Sequence, residues 1–108
     1  MRFGLKDTTI DKINTIFVQY PAIEQVILYG SRAKGSYRNG SDIDLTIKGK
    51  ALTFTELMKI ESQLDDLNLP YQIDISQFDK INNLDLRMHI DRVGKLFYLK
   101  STLIETIA

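Results

Sequence analysis

Two stretches of strict alternation limit what this chain can fold into. From Asp42 to Lys48, apolar Ile43, Leu45 and Ile47 alternate with Asp42, Asp44, Thr46 and Lys48. From Tyr71 to Ser76, apolar Tyr71, Ile73 and Ile75 alternate with Gln72, Asp74 and Ser76. A period of two marks a strand with one face on a core and the other toward solvent. Both runs therefore predict half-buried strands whose polar faces carry aspartates. A third run, "EQVILYG", lies between Pro21 and a strand-ending Gly30, and its Val, Ile and Tyr content favours a buried strand over a helix of that length.

Helical spacing fills the remaining chain. Ile10, Ile13, Ile16, Phe17 and Tyr20 predict an amphipathic helix over Asp7–Tyr20, capped by Asp7 or Thr8 and stopped by Pro21. Thr53 and Glu56 form a capping-box pair ahead of a helix with Phe54, Leu57, Met58, Leu64 and Leu67 on its apolar side, ended by Pro70. A further helix is expected to start near Asn83 and run through Leu86, Ile90 and Val93 to a Gly94 cap, followed by the short strand "KLFYL". The last residues, "STLIETIA", read as a frayed helix or a docking segment with Leu103, Ile104 and Ile107 as its apolar positions. The expected whole is one α/β (α+β) domain over residues 1–108, with a mixed β-sheet of about four strands flanked by helices.

Composition removes several function classes. With 44% hydrophobic and 26% charged residues, and no apolar run long enough to span a bilayer, a soluble protein is expected. The opening "MRFGLKDTTI" lacks the apolar core of a signal peptide and there is no cysteine, which fits a reducing, cytoplasmic setting with no membrane partner. Lys plus Arg equals Asp plus Glu at 14 each, so no overall basic field exists to draw in a nucleic acid, and any anion must be bound locally.

The local chemistry is concentrated in "LYGSRAKGSYRNGSDIDL", Leu28 to Leu45. Asp42 and Asp44 leave the same face of a strand with Cα atoms about 6 to 7 Å apart, and carboxylates that close repel unless a cation lies between them. Hard oxygen donors without Cys, and with one His in the chain, point to Mg²⁺. If Asp74 lies on a neighbouring strand, three carboxylates can hold two such ions about 3.5 to 4 Å apart, a geometry suited to in-line phosphoryl or nucleotidyl transfer. Asp74 would then help to take the attacking proton.

Gly30 and Ser31 end one strand and open a short helix, so their backbone N–H groups can face an anion that the Ser31 hydroxyl also touches. Arg32 and Lys34 add positive charge nearby, which makes Arg32 a candidate nucleotide contact; its alternative is to pair with an aspartate or pack its stem. Ser41 either bonds local backbone or touches nucleotide. His89, four residues after Asp85 on a helix, reads as an ordinary surface pair, and Arg87 with Asp91 and the Asp65-Asp66 pair read as solvated faces. Other nucleotide and cation motifs fail: a Walker pattern from Gly30 needs Lys where Ser36 stands, no G-x-G-x-x-G occurs, and an EF-hand from Asp42 needs Gly where Ile47 stands.

Gly30-Ser31, ten intervening residues and then Asp42-x-Asp44 resembles the signature of the DNA polymerase β-like nucleotidyltransferase superfamily, with Asp74 matching its later third carboxylate. The wording "GSRAKGS...SDIDL" and the short length most resemble its minimal nucleotidyltransferase (MNT) family, the partners of HEPN proteins. The resemblance covers about Val26 to Ile75, and Lys34 stands where relatives often have Arg. It implies a nucleotidyltransferase fold, phosphate contacts at Gly30 and Ser31, and metal ligation and catalysis by Asp42, Asp44 and Asp74. It also implies ATP as substrate with Mg²⁺, and an antitoxin that transfers AMP onto a tyrosine of a HEPN toxin within a hetero-oligomer. Larger relatives hold their acceptors with extra domains, so here the acceptor is expected to bring its own binding surface. Two other functions fit the same residues: a non-catalytic antitoxin that neutralises its partner by complex formation, and a nucleotidyltransferase acting on small molecules.

Overall fold

Both alternating runs are strands, and they pair with each other. In chain order the computed structural model contains α1 (Asp7–Phe17), β1 (Gln25–Tyr29), α2 (Gly30–Lys34), β2 (Ile43–Lys48), α3 (Phe54–Asp65), β3 (Ile73–Gln77), a 3₁₀ turn (Phe78–Lys80), α4 (Leu84–Val93) and β4 (Lys95–Leu99). It describes residues 1–101; the apolar tail positions Leu103, Ile104 and Ile107 lie outside the described residues.

The strands form one mixed sheet in the order β3-β2-β1-β4. β1 runs antiparallel to both β2 and β4, while β2 and β3 are parallel. A parallel pair cannot be closed by a tight turn, and α3 supplies the crossover between them. β1 is central and covered on both sides: Val26 and Leu28 face one cluster, Ile27 and Tyr29 the other. This double burial explains why its sequence is continuously apolar while β2 and β3 alternate.

The main core lies between the sheet and helices α1 and α3. Ile10, Ile13 and Phe17 of α1 meet Leu45 and Ile47 of β2 and Ile60 and Leu64 of α3 in one buried cluster. Each such fully buried aliphatic side chain contributes about 1.5 to 3 kcal/mol. On the opposite face a smaller cluster of Tyr29, Phe78 and Ile90 seats α4 against β1. The aspartates belong to this second face, and α4 covers only part of it.

Several local expectations hold, and others are corrected. Thr53 and Glu56 make the full reciprocal capping box, and the Asn83 side chain accepts the Leu86 N–H to start α4. At α1, however, neither Asp7 nor Thr8 caps the helix; Lys6 holds the cap position without a side-chain bond, and Asp7 sits inside the first turn, where its charge favours the positive helix end. α1 also stops at Phe17 rather than Tyr20, because a residue preceding proline is disfavoured in the helical region.

The inward stripe of α3 is Leu57, Ile60 and Leu64, whereas Phe54 and Met58 are exposed. Thr46, expected on a solvated face, is completely buried, because the Ser76 hydroxyl donates to its Oγ1 at 3.0 Å and makes its burial affordable in hydrogen-bond terms.

Candidate active site

Strand register, rather than proximity in sequence, gathers the carboxylates. Tyr29 is paired with Asp44 across β1 and β2, and Asp44 is paired with Asp74 across β2 and β3. Paired residues share a face, so Tyr29, Asp44 and Asp74 form a row across three strands, each about 4.8 Å from the next. Asp42, two residues before Asp44, projects from the same side at the mouth of β2. Thr46 and Ser76 form the next paired row inward.

At the end of β1 the chain turns through Gly30 with φ +73°, a left-handed conformation that side chains rarely adopt. A side chain at this position would also meet the Asp44 carboxylate, which would have to swing aside. The strand end thus packs backbone directly against the middle carboxylate, and Ser31 follows at the first turn of α2.

The Gly30 N–H does not stand free for an anion, as the motif suggested; it donates to His89 Nε2 at 3.1 Å. His89 also sets its ring edge-on to Tyr29, with centroids 6.2 Å apart and an interplanar angle of 81°. The surface reading of His89 is therefore corrected: α4 turns it inward against β1 and α2. The available signal was helical phase, since His89 precedes buried Ile90 and follows half-buried Leu86 by three residues.

The carboxylates act on one another. Burial, then the charges of Asp74 and Asp42, push the Asp44 carboxyl above the ordinary carboxylate range. The Tyr29 hydroxyl is also raised, chiefly by burial and then by Asp74, with the Ser76 side chain opposing and Asp44 adding to the rise. Tyr29 is thus a neutral, buried wall of the site.

Arg32 is engaged within the protein itself. Only 3% exposed, it donates through Nε and Nη2 to the Ser41 carbonyl at 3.1 and 2.8 Å and through Nη1 to the Phe3 carbonyl at 2.9 Å. Its guanidinium lies between the rings of Tyr37 and Tyr71, 5.4 and 4.9 Å from their centroids. A planar fork satisfied by carbonyls and covered by aromatic faces works as a strut joining α2, the backbone at Phe3 and the residue before Asp42. Ser41 likewise bonds local backbone, its Oγ accepting the Arg38 N–H at 2.8 Å. Lys34 is exposed.

Among the described residues, no three acidic or histidine side chains close into a ready-made cation cage. The aspartates instead form an open array, with Asp42 and Asp74 exposed and Asp44 half-buried. Oxygen-only donors in a repelling row suit a hard divalent ion that takes the rest of its shell from water and a bound substrate.

A four-stranded mixed sheet that aligns carboxylates from two parallel strands beside a glycine-serine strand end is a nucleotidyltransferase fold. Residues 11–103 match the family model described as "Polymerase beta, Nucleotidyltransferase", and the chain belongs to that family. Comparison with curated protein sequences finds no match.

Among solved structures, the fold is similar to MNT antitoxins in complexes with HEPN toxins. A toxin-antitoxin structure with AMP-PNP aligns at TM-score 0.68 and 18% identity over 90% of this chain and 78% of that one. The complex of tri-AMPylated Shewanella oneidensis HEPN toxin with MNT antitoxin gives 0.65 and 15% over 94% and 79%. The toxin-antitoxin pair MntA-HepT gives 0.65 and 16% over 94% and 79%. Identities this low establish the shared fold.

Proposed function

We propose that this chain is a Mg²⁺-dependent nucleotidyltransferase that moves AMP from ATP to a tyrosine of a HEPN partner and thereby acts as its antitoxin. The observation that carries the reading is the in-register pair Asp44 and Asp74, with the Gly30-Ser31 strand end packed on the Asp44 carboxylate. The acceptor is supported by the similar complexes, one solved with AMP-PNP and one holding an AMPylated HEPN toxin.

In this reading Asp42, Asp44 and Asp74 hold Mg²⁺. When bound there it would supply charge neutralisation for the triphosphate and activation for the attacking oxygen. Ser31 donates from its hydroxyl to a phosphate oxygen, while Gly30 leaves room for the Asp44 carboxylate to face the same phosphates. The acceptor oxygen attacks the α-phosphorus, the new O–P bond forms as the bond to the bridging oxygen breaks, and pyrophosphate departs with that electron pair. Asp74, exposed on the outermost strand, takes the hydroxyl proton.

The test is transfer of label from α-labelled ATP with Mg²⁺ to a HEPN protein encoded beside this chain, comparing wild type with Asp42→Asn plus Asp44→Asn. Label on a partner tyrosine that disappears in the variant is the expected result. Protection against the toxin that persists in the variant would overturn catalysis in favour of neutralisation by complex formation. Label on an added aminohydroxy compound, and never on protein, would overturn the acceptor.

A further inference from the structure

His89 lies on α4, away from the motif that identifies the family, yet its imidazole meets the strand end that the motif defines. A backbone amide can only donate, so the Gly30 N–H at 3.1 Å requires a lone pair on Nε2 and leaves the ring proton of the neutral side chain on Nδ1. The same ring packs edge-on to Tyr29, whose strand position is paired with Asp44. Ile90, the next residue, is buried with Tyr29 and Phe78, which fixes α4 against β1 and with it the place of the imidazole.

The Gly30 position needs such an anchor. It has left-handed backbone geometry, no side chain to hold it, and the Asp44 carboxylate where a Cβ would be. Without an acceptor, its partly buried N–H loses its partner, and a glycine between a strand and a one-turn helix has many other conformations to adopt.

We infer that His89 is a positioning residue: by accepting the Gly30 N–H it ties the strand end to α4 and keeps Asp44 and Ser31 at a fixed separation. Its effect on rate rests on the nucleotidyl-transfer reading, whereas the bond itself does not. His89 touches neither nucleotide nor acceptor in this scheme; it acts through Gly30.

Two substitutions separate the acceptor from the ring. His89→Gln keeps a side-chain oxygen able to accept the amide, and His89→Phe keeps a ring on Tyr29 but cannot accept. Thermal melting of both proteins first establishes that they are folded. Hydrogen exchange at the Gly30 amide should be protected in wild type and His89→Gln, and about tenfold faster in His89→Phe. AMP transfer at saturating ATP should fall about tenfold in His89→Phe with KM for ATP changed less than about twofold, and His89→Gln should restore most of the rate.

Equal Gly30 protection in wild type and His89→Phe, an unchanged rate in His89→Phe, or equal impairment of both variants would overturn the inference. Absence of transfer by the wild type would instead sink the nucleotidyl-transfer reading, and amide exchange alone would then decide the role of His89.

Discussion

Asp44 and Asp74 are direct partners across parallel strands, two carboxylates held at the same level of the sheet by backbone pairing. Their repulsion is built into the fold, because their backbones cannot separate without breaking the register of β2 and β3. Burial and the charges of Asp74 and Asp42 together keep the Asp44 carboxyl above its ordinary range.

The first prediction follows from that direction. A carboxyl whose folded pKa is raised stabilises the fold below its unfolded pKa, and this contribution is lost as pH rises through the folded value. In metal-free buffer the wild type should therefore lose stability relative to Asp44→Asn as pH climbs from about 4 to about 7. Thermal melting of the two proteins across that interval checks it, and parallel curves would contradict a raised Asp44.

Divalent ion and nucleotide should depend on each other. Phosphates facing three unneutralised carboxylates are repelled, so ATP should bind about tenfold or more weakly in EDTA than with Mg²⁺. Calorimetry measures this directly; equal affinities would count against ligation by Asp42, Asp44 and Asp74.

Gly30→Ala should damage site and fold together. The left-handed conformation costs a side chain about 1 to 2 kcal/mol, and the added methyl must push the Asp44 carboxylate aside. Denaturant unfolding should show a loss of that size, while transfer falls by about a hundredfold through misplacement of the carboxylate. Near-normal transfer would mean that the strand end does not set Asp44.

Arg32 offers a contrast. Arg32→Met strands the Phe3 and Ser41 carbonyls and should cost about 2 to 4 kcal/mol in chemical denaturation. Arg32→Lys retains the charge but loses the fork, and ATP affinity of its folded form should stay within about threefold of wild type. A tenfold or greater loss of ATP affinity with unchanged stability would restore Arg32 as a nucleotide contact.

The strands and the carboxylates were legible because both depend on a period of two. Alternation around Ile43 and Ile75 sets which side chains share a face, and Asp44 and Asp74 follow from it. The pairing that aligns them is a tertiary property, since sequence places Asp74 on a polar face but not beside Asp44. The partners of His89 and Arg32 are not legible in the sequence for a related reason. Each is polar in a locally polar segment, and its role is decided by elements distant in the chain: Gly30 for His89, and Phe3 with Tyr71 for Arg32. Thr46 shows the same limit, because its burial depends on the Ser76 hydroxyl supplied by another strand.

The parallel join of β2 to β3 has a consequence for how the domain can be taken apart. The carboxylates are aligned by interstrand hydrogen bonds, while the α3 crossover returns the chain and packs Ile60 and Leu64 into the core. Its far end, around exposed Asn68, carries no side chain of the site. A chain cut there would divide the acid residues between two fragments, Asp42 and Asp44 on one and Asp74 on the other, and only their reassociation would rebuild the row, which makes this domain a natural split reporter for its own folding.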